Sequence, residues 1–321
     1  MRSPQNLPTM SAHLTRARPR GLTAAALTVL LAGSGALLAA GDPPASSTPD
    51  PGAQAPPATS LLPRGGTSIL PEFRVVAHYG APQAKALGIL GIGTPAVAAA
   101  RLEREAHRYA GPGHRPVLPA MELISVIVNA GPGRDGRFRS RQSRAVILRY
   151  LQAARKARAL LILDVQPGRS DFLTEARALA EFLVAPDVGL ALDPEWRMAP
   201  GQIPGRVIGS VDAAELNEVT TWLSGLVARR NLPDKLVVVH QFTDGMVRRR
   251  RGLRSRAGID LVLNADGFGT ATAKLNTYRR VTRDRRGLHV GFKLFFVEDT
   301  GLMSPAQVLR LRPPPELVIY E

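Results

Sequence analysis

The sequence predicts a (β/α)8 barrel of the TIM type, and three observations lead there. Short apolar runs recur from Phe73 to Glu321, with helical patterns between most of them. The runs are near-continuously hydrophobic and β-branched rather than alternating, as parallel strands covered on both faces are. Eight of them fall within about 250 residues, the usual span of this barrel.

In chain order the predicted strands are Arg74–His78, Leu123–Val128, Ala159–Leu163, Val188–Leu192, Leu236–His240, Ile259–Leu263, His289–Phe296 and Leu317–Tyr320. Helical periodicity fills Thr94–Tyr109, Arg141–Lys156, Asp171–Leu183 and Asp212–Arg229. The last opens with Asp212 three residues before Glu215, a spacing like that of a capping box. Gly88, Gly91 and Gly93 do not stand directly between the first strand and a helix, so a doubly wound sheet with a dinucleotide fingerprint is disfavoured. The chain stops at Glu321, immediately after the eighth strand, so the barrel's final helix is missing from the pattern. The wall there is left open, covered by the segment before strand one, or covered by a partner.

Two segments precede the barrel. Arg16, Arg18 and Arg20 lead into the uncharged, Ala- and Leu-rich run Gly21–Ala40. A basic start, an apolar middle and small residues at its end make residues 1–40 a signal peptide or, if uncleaved, an N-terminal anchor. Leu38-Ala39-Ala40 resembles the start of a lipobox, but Gly41 stands where the lipidated cysteine would be. Residues 41–70 carry Pro43, Pro44, Pro49, Pro51, Pro56, Pro57 and Pro63 among Ser, Thr and Ala, and are expected to form a disordered, extended tether. The barrel is assigned to residues 71–321. A secreted or cell-surface protein is expected, with membrane contact only through an uncleaved N-terminal segment.

Composition narrows the chemistry. The 321 residues include no cysteine, which excludes disulfides, Cys-bound metal centres and thiol catalysis. A net charge of +16 invites a nucleic-acid partner. The densest basic run, Arg248–Arg251 with Arg254 and Arg256, contains no aromatic residue on which a base could stack, so a solvated loop is expected and no nucleic-acid partner is assigned.

The chemistry gathers at the carboxyl ends of the strands, where barrels of this kind place their sites. In order these ends read His78-Tyr79-Gly80, Asn129, Asp164-Val165-Gln166, Asp193-Pro194-Glu195-Trp196, His240-Gln241-Phe242, Asn264-Ala265-Asp266-Gly267-Phe268, Glu298-Asp299 and Tyr320-Glu321. Nearly every strand thus finishes in a polar or acidic residue beside an aromatic. Carboxylates supply the acid and the base or nucleophile of glycosidic cleavage, and aromatic faces carry sugar rings. Glu195, Asp193, Asp164 and Glu298 are the candidate catalytic residues. His78, Tyr79, Gln166, Trp196, His240, Gln241, Asp266 and Phe268 are the candidate substrate contacts. Asp193 has an alternative as a turn cap, Asp164 as the partner of Arg169, and Asp266 as a turn former with Gly267.

The run Gly189-Leu190-Ala191-Leu192-Asp193-Pro194-Glu195-Trp196 resembles the strand-four Asp-x-Glu ending of barrel glycoside hydrolases of the chitinase and muramidase types. That resemblance implies Glu195 as proton donor. Glu195 after strand four with Glu298 after strand seven is also similar to the large clan with its acid and nucleophile on those strands, although Pro194 stands where that clan has Asn. Residues 73–321, including Leu163–Ser170 and Val239–Phe242, resemble exported barrel proteins of high-GC Gram-positive bacteria that have no assigned activity.

The expected function is therefore that of an exported glycoside hydrolase-like protein acting on a cell-wall or extracellular glycan, polysaccharide or peptidoglycan. The alternative is a non-catalytic glycan-binding barrel tethered at the surface. His78 is not followed by the His-x-His of metal-dependent amidohydrolases, and Asn129-Ala130-Gly131 lacks the acids of glycerophosphodiesterases. No cofactor and no metal is assigned, with one branch left open: His78, Asp164, Asp193, Glu195, His240 and Asp266 are all acceptable ligands for a divalent cation.

Overall fold

The computed structural model describes residues 60–321; the predicted signal segment and most of the predicted tether lie outside the described residues. Eight parallel strands run β1 Arg74–Gly80, β2 Val117–Val128, β3 Leu160–Val165, β4 Val188–Leu192, β5 Lys235–Gln241, β6 Ile259–Ala265, β7 His289–Leu294 and β8 Leu317–Tyr320. Their spatial order follows the chain, and β1 pairs with both β2 and β8, so the sheet closes on itself. The fold is an α/β barrel of the (β/α)8 type. Two ladders have no barrel role: Arg139–Arg141 adds an antiparallel edge to β2, and Val211–Asp212 pairs with Val247–Arg248.

The strands alternate between two cores, as period-two geometry requires. Val75, Ala77, Leu118, Ala120, Ile124, Ile162, Val238, Val262 and Ile319 fill the barrel interior. Val76, Met121, Leu123, Leu161, Leu163, Val237, Val239, Val318 and Tyr320 face the surrounding helices. Those helices are α1 Pro95–His107, α2 Arg144–Lys156, α3 Phe172–Ala178, α4 Ala180–Leu183, α5 Ala213–Arg230, α6 Ala271–Thr282 and α7 Pro305–Leu309. Most start at a side-chain cap: Thr94, Ser143, Asp171, Asp212, Thr270 and Ser304 each accept a backbone N–H of the first turn. The expected box at α5 is only half made. Asp212 accepts from Ala214 N, but Glu215 turns away to accept from Phe172 N and Arg197 Nε, each at 3.0 Å.

The floor of the barrel and its wall beside β8 differ from the sequence expectation. Residues 60–70 are not tether but the floor of the barrel. Leu62, Ile69 and Leu70 are buried in the interior core, Leu70 N donates to Asp260 Oδ2 at 3.0 Å, and Asp234 N donates to Thr67 O at 2.8 Å. Leu62 at one end of a Pro- and Gly-containing stretch and Ile69 and Leu70 at the other plug the amino-terminal mouth. The wall beside β8 is covered by Tyr109, just after α1, and by Phe296, just after β7: Tyr320 is buried, its hydroxyl lies 2.7 Å from that of Tyr109, and Phe296 stacks on its ring with centroids 5.3 Å apart.

The arginine run is more than a solvated loop. Arg249 pairs with Asp212 at 2.8 Å and Arg251 with Asp284 at 2.9 Å. Arg250 donates to Gln241 Oε1 at 3.1 Å and Arg283 O at 2.8 Å, so several of these charges fasten the β5–β6 connection to its neighbours.

Candidate functional site

The carboxyl-terminal half of the barrel interior is polar where the amino-terminal half is apolar. Inward positions there carry Tyr79 on β1, Glu122 on β2, Asp164 on β3, His240 on β5, Asn264 on β6 and Lys293 on β7, all buried. Gln166, Asp193, Asp266 and Glu321 follow directly on the ends of β3, β4, β6 and β8. Apolar strands thus hold a layer of ionisable groups on rigid backbone, away from bulk water. Gly291 makes room for it, because a Cβ there would stand 2.5 Å from Asn264 Oδ1.

His240 is the hub. Its Nδ1 lies 2.8 Å from Asp266 Oδ2 and its Nε2 2.8 Å from Glu122 Oε1. Burial opposes a charge on this ring, but the two carboxylates outweigh it and hold the imidazolium pKa well above its ordinary value. Lys293 Nζ sits 3.3 Å from Asp266 Oδ2, 2.7 Å from Glu321 Oε2 and 3.7 Å from the Tyr79 ring centroid. Burial works against this cation too, yet Asp266 and Glu321 raise its pKa well above that of a free lysine. Lys293 is therefore an ammonium and no amine nucleophile. Asp266 would be raised by burial; Lys293 and His240 reverse that and hold it well below the usual carboxylate range.

The remaining acids lean the other way. Burial, then the charge of Asp193, raises Asp164 well above its normal value. Tyr79 Oη lies 3.3 Å from Asp164 Oδ2 and accepts from Gln166 Nε2 at 3.1 Å. Asp193 is pushed up to about 7 by burial and by Asp266, against the pull of His240 and Lys293. Its side chain makes no cap hydrogen bond, and its Oδ1 is buried without a partner. Glu195 follows in the turn Pro194–Trp196, half-buried, and burial with the charges of Asp193 and Asp266 raises it well above a free carboxyl. The site thus joins carboxyls that retain protons with one, Asp266, that stays ionised.

Of the predicted residues, Tyr79, Asp164, Gln166, Asp193, Glu195, His240 and Asp266 converge here. Their alternative roles are absent: Arg169 turns from Asp164 to donate to Gln202 O at 2.9 Å, and Asp266 binds His240 and Lys293. Trp196 is half-buried and Phe268 half-exposed, the latter edge-on to Phe295 with centroids 5.8 Å apart.

Three predictions fail on position. His78 is next to Tyr79, so the pleat sends it outward. It is buried against Phe296 and Tyr320, and burial with the charges of Arg101 and Arg104 lowers its pKa to about 4. Gln241 likewise points out, donating to Thr243 O at 2.9 Å. Glu298 lies exposed in the turn after β7 and does not join the interior cluster. The ionisable group that β7 contributes is Lys293. Asp299, next to Glu298, is structural, pairing with Lys274 at 3.0 Å and accepting from Phe295 N at 2.9 Å. Sequence reasoning missed Glu122 and Lys293. Their signal is an ionisable residue inside an otherwise apolar run.

No family model matches the chain, and no curated protein matches it. Solved structures that resemble it include a 2,3-dimethylmalate lyase of the PEP mutase/isocitrate lyase superfamily, at 14% identity and a TM-score of 0.45 over 78% of this chain and 75% of that one. A hyperthermophilic endo-β-1,4-glucanase in complex with substrate matches at 9% identity and a TM-score of 0.34, over 64% of this chain and 77% of that one. A putative orotidine-monophosphate decarboxylase from Toxoplasma gondii matches at 14% identity and a TM-score of 0.34, over 78% of this chain and 82% of that one.

Proposed function

We propose that this barrel hydrolyses a glycan outside the cytoplasm, at the cell wall or in the medium, by carboxylate acid/base chemistry. The carrying observation is the pair Asp193 and Glu195 at the mouth. Neither carboxyl makes a hydrogen bond among the described residues, and both retain protons more strongly than free acids do. Glu195, in the half-buried turn, donates the proton to the leaving glycosidic oxygen. Asp193, whose pKa is pushed up to about 7, is the base or nucleophile on the same turn. Asp266 with Lys293 and His240 forms the fixed charged floor beneath them. Trp196 and Phe268 are the platforms for sugar rings.

The test is to incubate the full chain with peptidoglycan and a panel of wall polysaccharides, reading released fragments by mass spectrometry beside Glu195→Gln. Fragments that vanish in the variant support the proposal. Glycan retained equally by both proteins, with no fragments, would replace it with a binding module.

A further inference from the structure

We propose that Glu122, Asp164 and His240 form a binding site for a divalent first-row transition ion such as Zn2+ or Mn2+, set beneath the barrel mouth. Each residue offers one ligand atom, and these atoms lie within 4.8 Å of one another. A mononuclear ion with bonds of about 2.0–2.2 Å spreads its ligand atoms over roughly 3–4.4 Å, so closure needs shifts of a few tenths of an ångström. The three come from β2, β3 and β5, where strand backbone fixes their positions.

The cluster also lacks donors. Glu122 Oε2, Asp164 Oδ1 and Asp193 Oδ1 are buried acceptors with no hydrogen-bond partner. A buried carboxylate oxygen without a donor is costly, and a cation answers that need at several oxygens together. The nearby donors are already engaged: Lys293 on Asp266 and Glu321, and Gln166 Nε2 on Tyr79.

The surroundings fit the same assignment. Metal-binding histidines characteristically donate their second ring nitrogen to a carboxylate, which fixes tautomer and ring orientation. Asp266 stands 2.8 Å from His240 Nδ1 in that role, leaving Nε2 directed at Glu122 Oε1. The ion would take the place now held by the proton between them. Tyr79 Oη at Asp164 Oδ2 fixes the second carboxylate and leaves Oδ1 free. One imidazole with two carboxylates, and no cysteine, suits Zn2+ or Mn2+ better than Ca2+, which prefers six to eight oxygens. This site includes two residues of the cation-ligand set considered from sequence, Asp164 and His240, and completes it with Glu122. It uses neither Glu195 nor a glycan, so it stands or falls separately from the proposed hydrolysis.

The experiment titrates the untagged, chelator-stripped full chain with ZnCl2 and with MnCl2 by calorimetry. One ion per chain is expected, with a rise in Tm. Glu122→Gln and Asp164→Asn together should abolish that site, while Asp266→Asn, outside the ligand set, should weaken it by about 10–100-fold. His107→Ala, exposed on α1, should bind as the parent does. Zinc-edge X-ray absorption on the unsubstituted chain, which needs no variant to fold, should show one imidazole with oxygen ligands. The proposal is overturned if neither ion binds at a single site, if the folded double variant binds like the parent, or if the absorption spectrum shows no imidazole.

Discussion

His78→Phe should remove an acid-sensitivity built into the barrel wall. The ring is 2% exposed, lies among Phe296, Tyr320 and the charges of Arg101 and Arg104, and neither nitrogen has a hydrogen-bond partner. In the unfolded chain a histidine titrates near 6.5, whereas here burial lowers the value to about 4. Below 6.5 the unfolded state therefore binds a proton that the folded state refuses, and stability is lost as pH falls from 6.5 towards 4. Linkage over that interval gives about 3 kcal/mol at pH 4, a large share of the roughly 5–15 kcal/mol that holds a domain folded. Asp193 and Asp260 shift upward, to about 7 and about 6, and contribute in the opposite sense: their stability is present at low pH and lost as pH rises through those values. The comparison must therefore be between proteins at each pH. Urea unfolding at pH 8 and pH 4 should show the parent losing about 3 kcal/mol more than His78→Phe. Equal losses would refute the reasoning and mean that the ring is solvated or paired in the folded protein.

Three further outcomes follow from the same geometry. Lys293→Met leaves Asp266 and Glu321 without their shared cation and should cost about 3–5 kcal/mol in urea unfolding; an unchanged midpoint would show that this pair is not buried together. Leu70→Ala, at the barrel floor, should cost about 2–5 kcal/mol, whereas a true tether residue would cost nothing measurable. With a cleaved glycan in hand, kcat/KM should rise with pH through about 7 as Asp193 ionises, under the influence of His240, Asp266, Lys293 and Glu321. It should fall again as Glu195 loses its proton, and Asp193→Asn should lower kcat/KM by about 100-fold or more.

The barrel was legible because buried parallel strands announce themselves as apolar runs, and Val188–Leu192 and Leu317–Tyr320 match their predicted bounds. Asp164, Asp193, Glu195, His240 and Asp266 were legible because a polar residue ending such a run lies at the rim. Parity was not. At a strand end two adjacent polar residues look alike, but the pleat turns Tyr79 and His240 inward and His78 and Gln241 outward, and only register decides which. Glu122 escapes because Pro119 and Glu122 break the apolar run ahead of Leu123, while β2 begins at Val117. Lys293 escaped inside an otherwise apolar strand, since the carboxylates that hold its charge, Asp266 and Glu321, follow other strands and are distant in sequence. The floor segment escaped because Pro63, Gly65 and Gly66 mask the buried Leu62, Ile69 and Leu70.

Cleavage in 18O-labelled water tests the central claim most directly. Acid/base hydrolysis by Glu195 and Asp193 predicts fragments whose new reducing ends are heavier by about 2 mass units, the label coming from the attacking water, and none from Glu195→Gln. Unlabelled or unsaturated fragments, or labelled fragments undiminished in that variant, would contradict it.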